Sequence, residues 1–182
     1  MKFKAIFGHF KTILIHKHWV FYYACKLGIP WQGFWHDMSK FSPTEFWESV
    51  KFYQGGKSSP IPAAKKEQGY SLAWQHHKGR NPHHYEYWTD NYDAPLGTTC
   101  IKVPWKYMLE MVADYLAAGR TYQGESFTFA SEYRWWLRQR DLRKMHPDTK
   151  AAISTILFFL RYHGLEALTK EVLKERKLEY EK

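Results

Sequence analysis

Cysteine is nearly missing from this chain: two residues in 182, Cys25 and Cys100. Two isolated thiols exclude a disulfide framework and the paired-cysteine knuckles of structural zinc sites. They suit a reducing compartment, so a cytoplasmic location is expected. Long apolar runs are missing too. The most apolar stretch, Ala151 to Leu160, falls well short of the roughly 20 residues that cross a bilayer and reads as a core helix. Lys, His and Gly interrupt the segment from Met1 to Val20, which argues against a secretory signal. No membrane association is therefore expected. No stretch alternates convincingly with period two, and no internal repeat or low-complexity segment stands out. No strong run of Lys and Arg alone marks a nucleic-acid tail.

Aromatic rings, histidine and positive charge are what the chain has in quantity. Thirteen Tyr, twelve Phe and nine Trp accompany an apolar content of 45%. That composition excludes intrinsic disorder and points to a core built from large rings. A length of 182 residues suits one domain, here residues 1–182. The net charge of +9 favours anionic partners. A small anionic substrate, above all a nucleotide, is expected, with nucleic acid allowed but not favoured.

The apolar spacing predicts an all-α fold, a single compact helical bundle. Ile6, Phe10, Ile13, Leu14, Val20 and Tyr23 mark a first helix from Phe3 to Leu27, ended by Gly28 and Pro30. Trp31 to Met38 reads as a short helix or turn. Ser42-Pro43-Thr44-Glu45 is a helix start, with Ser as cap, Pro first and Glu third. That helix runs to about Gln54. A loop from Lys57 to Ala63 is followed by one helix from Ala64 to His77. Asn81-Pro82 breaks the chain before a short helix, His83 to Trp88. Thr89 to Val103 reads as a surface loop. Pro104 opens a helix through Ala118, closed by Gly119. Helices are then expected over Ser126 to Asp141, Pro147 to Tyr162 and Leu165 to Tyr180. The segment 164–182, with mixed charges at i, i+4, reads as a peripheral terminal helix.

Ten histidines are many for this length. His76-His77 and His83-His84 lie within nine residues, and His36 directly precedes Asp37. Imidazole and carboxylate are the donors that suit zinc, iron, manganese and related divalent ions. Asp114 sits among Met111, Val112, Tyr115 and Leu116 on an apolar helix, where a carboxylate is costly to bury unless it is paired or bound to metal. Taken alone, Asp114 reads equally well as a solvated residue. His16 alone would more often be a hydrogen-bonded core histidine, and Glu45 is equally well a capping-box residue.

In combination the pattern resembles the HD-domain metal-dependent phosphohydrolases. His16 to Val20 is similar to the first-helix pattern HxxxV, with His18 as the alternative ligand. His36-Asp37-Met38-Ser39-Lys40 fits HDxxK, the form of the HD-GYP cyclic-dinucleotide phosphodiesterases. The paired histidines His83-His84 and the helical Asp114 follow in the expected order. The chain also resembles a small uncharacterised HD-like family of bacteria and phages that carries runs like HDMSKFSPTEF, AWQHHKGRNPHHYEYW and EMVADYLAAGR, all three present here. The GYP loop is absent, with Tyr87-Trp88 near its place.

This resemblance implies a compact HD-like domain and a site for one or two divalent ions (Mn, Fe, Co, Mg or Zn). His16, His36, Asp37 and Asp114 would hold the first ion. His77, His83 and His84 would add a second, with Asp37 bridging and His76 the alternative to His77. Asp37 and Lys40 would be catalytic. Lys40, Lys78 and Arg80 are candidates for substrate phosphate, and Glu45 and Glu86 for orienting histidines. The implied activity is hydrolysis of a nucleotide-like phosphate ester. A di-iron oxygenase of a small molecule and a non-enzymatic, metal-stapled binding protein are the alternatives.

Overall fold

The computed structural model describes residues 3–90 and 97–182. Within them nine α-helices follow one another: α1 (Phe3–Lys26), α2 (Pro30–Trp35), α3 (Pro43–Lys51), α4 (Pro60–Gln68), α5 (Leu72–Lys78), α6 (Trp105–Gln123), α7 (Phe129–Gln139), α8 (Pro147–His163) and α9 (Lys170–Glu181). The fold is all-α apart from two short strands.

The packing follows from the apolar spacing. In α1 the buried residues His9, Ile13, His16, Val20 and Tyr23 recur at intervals of four and three, which places them on one stripe. That stripe lies along α6. Helix α6 is buried around most of its circumference, through Met108, Leu109, Met111, Val112, Ala113, Leu116 and Ala117, and is the central helix of the fold. Its side chains contribute about 1.5–3 kcal/mol each for the larger apolar ones. Gly28, in the left-handed region at φ 76°, turns the chain out of α1. Helix α2 then folds back onto α1 so closely that a Cβ at Gly33 would stand 2.3 Å from the Ala24 Cβ.

Helices α7 and α8 pair around the fully buried Trp136, whose indole N–H donates to Ser154 Oγ at 2.8 Å. Helix α9 docks on α8 and α6 through Leu173 and Tyr180. The Tyr180 hydroxyl donates to the Val103 carbonyl and lies 2.8 Å from Thr149 Oγ1.

Several boundaries differ from the sequence expectation, among them the start of α9, at Lys170 and not at Leu165. The helix expected over Ala64 to His77 is two helices: α4 starts earlier, at Pro60 with Ser59 as its cap, and stops at Gly69 in the left-handed region (φ 82°). Ser71 then caps α5 by accepting from the Trp74 amide. Helix α4 thus reaches into the loop expected at Lys57 to Ala63. The helix expected at His83 to Trp88 is a single 3₁₀ turn, Tyr85–Trp88. Within the surface loop expected at Thr89 to Val103, strand β1 (Thr89–Asp90) pairs antiparallel with β2 (Thr99–Cys100), Thr89 opposite Cys100; positions 91–96 of that loop lie outside the described residues. Gly119 does not close α6, which runs on to Gln123 and stops at Gly124. Gly119 is needed for another reason: a Cβ there would stand 2.3 Å from Glu132 Oε2 and 2.8 Å from the Phe127 ring.

Candidate metal centre

Five segments converge on Asp37. Helix α1 presents His16 on its buried stripe, within the cluster, and leaves His18 exposed. The turn after α2 supplies His36 and Asp37. Lys17, beside His16, donates to the carbonyls of Phe34 and His36 and pins that turn to α1. The last turn of α5 supplies His77, and the following loop supplies His83 and His84. Asn81 ties this loop down, donating to the His77 carbonyl at 2.8 Å and to Ser39 Oγ at 2.9 Å. Helix α6 supplies Asp114.

Asp37 itself is held at φ 56°, the one non-glycine residue in the left-handed region among the described residues. Asp tolerates this conformation better than most residues, yet it still costs about 1 kcal/mol. The turn aims the carboxylate into the protein, where Asp37 is 2% exposed.

The two oxygens of Asp37 face two different sets of donors. Oδ2 lies 3.1 Å from His36 Nε2 and 3.8 Å from His16 Nε2. Asp114 Oδ1 completes that set, 3.0 Å from His16 Nε2 and 3.6 Å from His36 Nε2. Oδ1 lies 3.3 Å from both His77 Nε2 and His83 Nε2. His84 joins this second set, its donor atom within 4.8 Å of the others. Donors about 2.1 Å from one ion stand about 3.0 Å apart at right angles and about 3.4 Å apart at the tetrahedral angle. The observed spacings bracket those values.

The donor atoms are also unsatisfied. Asp37 Oδ1 and the Nε2 atoms of His16, His36, His83 and His84 are buried without a hydrogen-bond partner, while Asp37 Oδ2 faces the Lys40 ammonium. His16 Nε2 and Asp114 Oδ1 are close but not aligned as donor and acceptor. Buried polar groups are nearly always paired. Orphans on convergent imidazoles and a carboxylate fit cations between them, and the residues present can hold one or two divalent ions.

The rear of the site orients these rings. Glu110 Oε1 lies 3.0 Å from His36 Nδ1 and 3.1 Å from His83 Nδ1. Glu45 Oε2 lies 2.8 Å from His77 Nδ1, and its other oxygen 2.6 Å from His76 Nδ1. An Nδ1–H donated to a carboxylate leaves Nε2 as a lone pair facing the centre. The tautomers are assigned from this network. His76 thus supports Glu45 instead of joining the donor set. Glu45 faces the site and does not close a capping box, since the Ser42 amide bonds Ser39.

Charge follows from this crowding. Burial alone would raise Asp37, but His36, Lys40 and His77 hold it well below its ordinary value. Glu110 is likewise opposed by burial, yet the bonds from His36 and His83 bring it down to about 2. His16 is lowered to about 4 by burial and by Lys40, and His84 falls well below its usual value through burial and its neighbours His83 and His77. Burial opposes a charge on His36 as well, but Asp37, Asp114 and Glu110 raise it. The Lys40 ammonium, 2.5 Å from Asp37 Oδ2, helps balance the carboxylates here. A divalent ion would take over that balance.

A cavity of about 180 Å³ opens onto the donors and is lined by His9, His16, Lys40, His77, His84 and Asp114, among others. Trp74, His84, Ala118 and Tyr122 also line a larger neighbouring cleft of about 470 Å³. Lys78 and Arg80 line neither space. The cations that do are Lys40, Lys57 and Arg143. Glu86 lines the larger cleft and contacts no histidine through hydrogen bonds; its Oε2 is buried and unpartnered. Sequence reasoning missed Glu110, His9 and Arg143. Only Glu110 left a signal: it stands four residues before Asp114, on the same face of α6.

A model of a family of unknown function, DUF5662, matches residues 5–158. No curated protein and no solved structure matches the chain.

Proposed function

We propose that this chain, which belongs to that family, is a metal-dependent phosphohydrolase acting on a nucleotide or nucleotide-like phosphate ester. The observation that carries the reading is Asp37: one carboxylate turned to two imidazole sets, as a bridge between two ions requires. The motif resemblance to HD-domain phosphohydrolases and the cationic lining of the cavity support it. A pair of divalent ions supplies Lewis acidity and a nucleophile at neutral pH.

The chain's own residues do the rest. Asp37 keeps the two sets in register. Glu110 and Glu45 hold the Nδ1 protons and so keep the Nε2 lone pairs on the centre. Lys40 lines the cavity one turn after Asp37 and offsets charge that builds on a phosphate oxygen. Trp74, Ile13 and Ile61 wall the cavity and limit water.

The test is metal analysis of the purified protein, followed by phosphate release from mono-, di- and cyclic nucleotides with Mn, Co, Mg or Fe. No release from any of them with two ions bound sinks the reading. Five imidazoles among seven donors also suit iron, which favours a di-iron oxygenase as the second reading. Electron paramagnetic resonance after anaerobic purification separates the two: a coupled mixed-valence di-iron signal favours the oxygenase, and a zinc or magnesium centre, which gives none, ends that reading.

A further inference from the structure

The far end of the larger cleft is built around Arg143. Its guanidinium lies 5.4 Å from the ring centres of Tyr85 and Tyr115 and 5.3 Å from that of Trp135. Three aromatic faces hold the fork in place and strip it of water. Its Nε is buried with no hydrogen-bond partner. Tyr85 is its polar neighbour, and Glu86 acts on it through space without forming an ion pair. A guanidinium carries five N–H donors and binds phosphate oxygens two at a time. Tyr85 takes one hydrogen bond from the group, and the Nε–H is left unused.

Two neighbours favour negative charge here, against the Glu86 carboxylate in the same lining. Lys57 stands exposed at the same cleft. Glu132, also in the lining, is 3% exposed and pushed up to about 8 by burial and then by Asp114, so at neutral pH it carries a proton and can donate. His84 lines both the cleft and the metal-facing cavity, so the two spaces are neighbours.

We infer that Arg143, with Lys57, forms a second phosphate-binding subsite, so that the substrate carries a second phosphate besides the one placed at the metal centre. This rests on the phosphohydrolase reading and names its substrate class more narrowly. The aromatic cage positions the fork, and the cleft walls, Trp74, Trp135 and Tyr122, suit a flat ring between the two phosphates.

The experiment is calorimetric titration of the full-length, metal-loaded protein with three probes: adenosine 5′-monophosphate, adenosine 5′-diphosphate and adenosine 3′,5′-bisphosphate. At least one two-phosphate probe is expected to bind about tenfold or more tighter than the monophosphate. Arg143→Gln should bring that ratio close to one while monophosphate binding stays within about twofold; Arg143→Lys, which keeps a cation against the rings, and Lys57→Gln should each lower it about threefold. Equal binding of all three probes by wild type overturns the inference. So does an unchanged ratio in both Arg143→Lys and Lys57→Gln, variants that test it even if Arg143→Gln does not fold. Phosphate release is followed in parallel. An Arg143-dependent ratio without release supports the subsite and overturns the hydrolase reading alone; release with a ratio of one overturns the subsite alone.

Discussion

Glu110 and Asp114, one turn apart on α6, take opposite nitrogens of the His36 ring: Glu110 Oε1 is 3.0 Å from Nδ1, and Asp114 Oδ1 is 3.6 Å from Nε2. One helix thereby sets both the tautomer and the direction of an imidazole carried by another segment. Glu110 does the same for His83, so a single carboxylate aligns one imidazole from each of the two donor sets.

Replacing Glu110 by Gln should therefore weaken both sets together. The expected loss is about 10–100-fold in metal affinity with the seven donors unchanged. Competition with a coloured chelator measures it. Wild-type affinity in Glu110→Gln would show that the rings are aligned by something else.

The donor sets should separate by mutation. Asp114→Asn is expected to lower the first set's occupancy and His77→Ala the second's, each leaving about one ion per chain, whereas Asp37→Asn should lower both. Elemental analysis after extensive dialysis gives the counts. Two ions retained in Asp37→Asn would be incompatible with a bridging carboxylate.

Glu132 makes stability fall with rising pH. Burial first, and Asp114 second, hold its carboxyl at about 8 in the folded chain against an ordinary 4.5. Between those values the folded chain keeps a proton that the unfolded chain has lost. Stability then decreases as pH rises through the window, by at most about 1.4 kcal/mol per unit. Below the window both states are protonated and the effect vanishes. Thermal unfolding between about pH 5 and about pH 9 should show a flatter profile for Glu132→Gln, which cannot ionise there. Parallel profiles for the two proteins would refute the assignment.

Gly119→Ala sets two effects against each other. Alanine favours a helix interior by about 1 kcal/mol over glycine. The new Cβ would stand 2.3 Å from Glu132 Oε2 and 2.8 Å from the Phe127 ring, and overpacking of a buried site costs about 1–3 kcal/mol. The clash is expected to win, with a net loss of up to about 2 kcal/mol in denaturant unfolding. A gain in stability would mean that Glu132 swings aside freely.

Much of this protein was legible in the linear chain. Apolar residues at intervals of three and four announce α1, α6 and α8, because a helix must show one face to the core wherever it packs. The clustered histidines, with Asp37 and Asp114, are visible as donors because imidazole and carboxylate have little other reason to recur beside apolar positions. Short-range signals also misled. Gly119 reads as a helix stop until Glu132 and Phe127 are seen against it. The pattern over Ala64 to His77 looks continuous until Gly69 turns left-handed between two capped helices.

The remaining decisions depend on contacts between segments far apart in sequence. His16 and His18 are equivalent in type, and only the seating of α1 on α6 buries one and exposes the other. His76 and His77 are adjacent, and the packing of α5 against α3 sends one to Glu45 alone and the other to Asp37 as well. Glu110 becomes an orienting group, and Arg143 the end of a cleft, only once distant helices bring their partners within a few ångströms. The kinds of donor and most of the helices were therefore written in local composition and period. Which donors meet, and what stands behind them, was decided by the rotation of each helix about its own axis as the core closed.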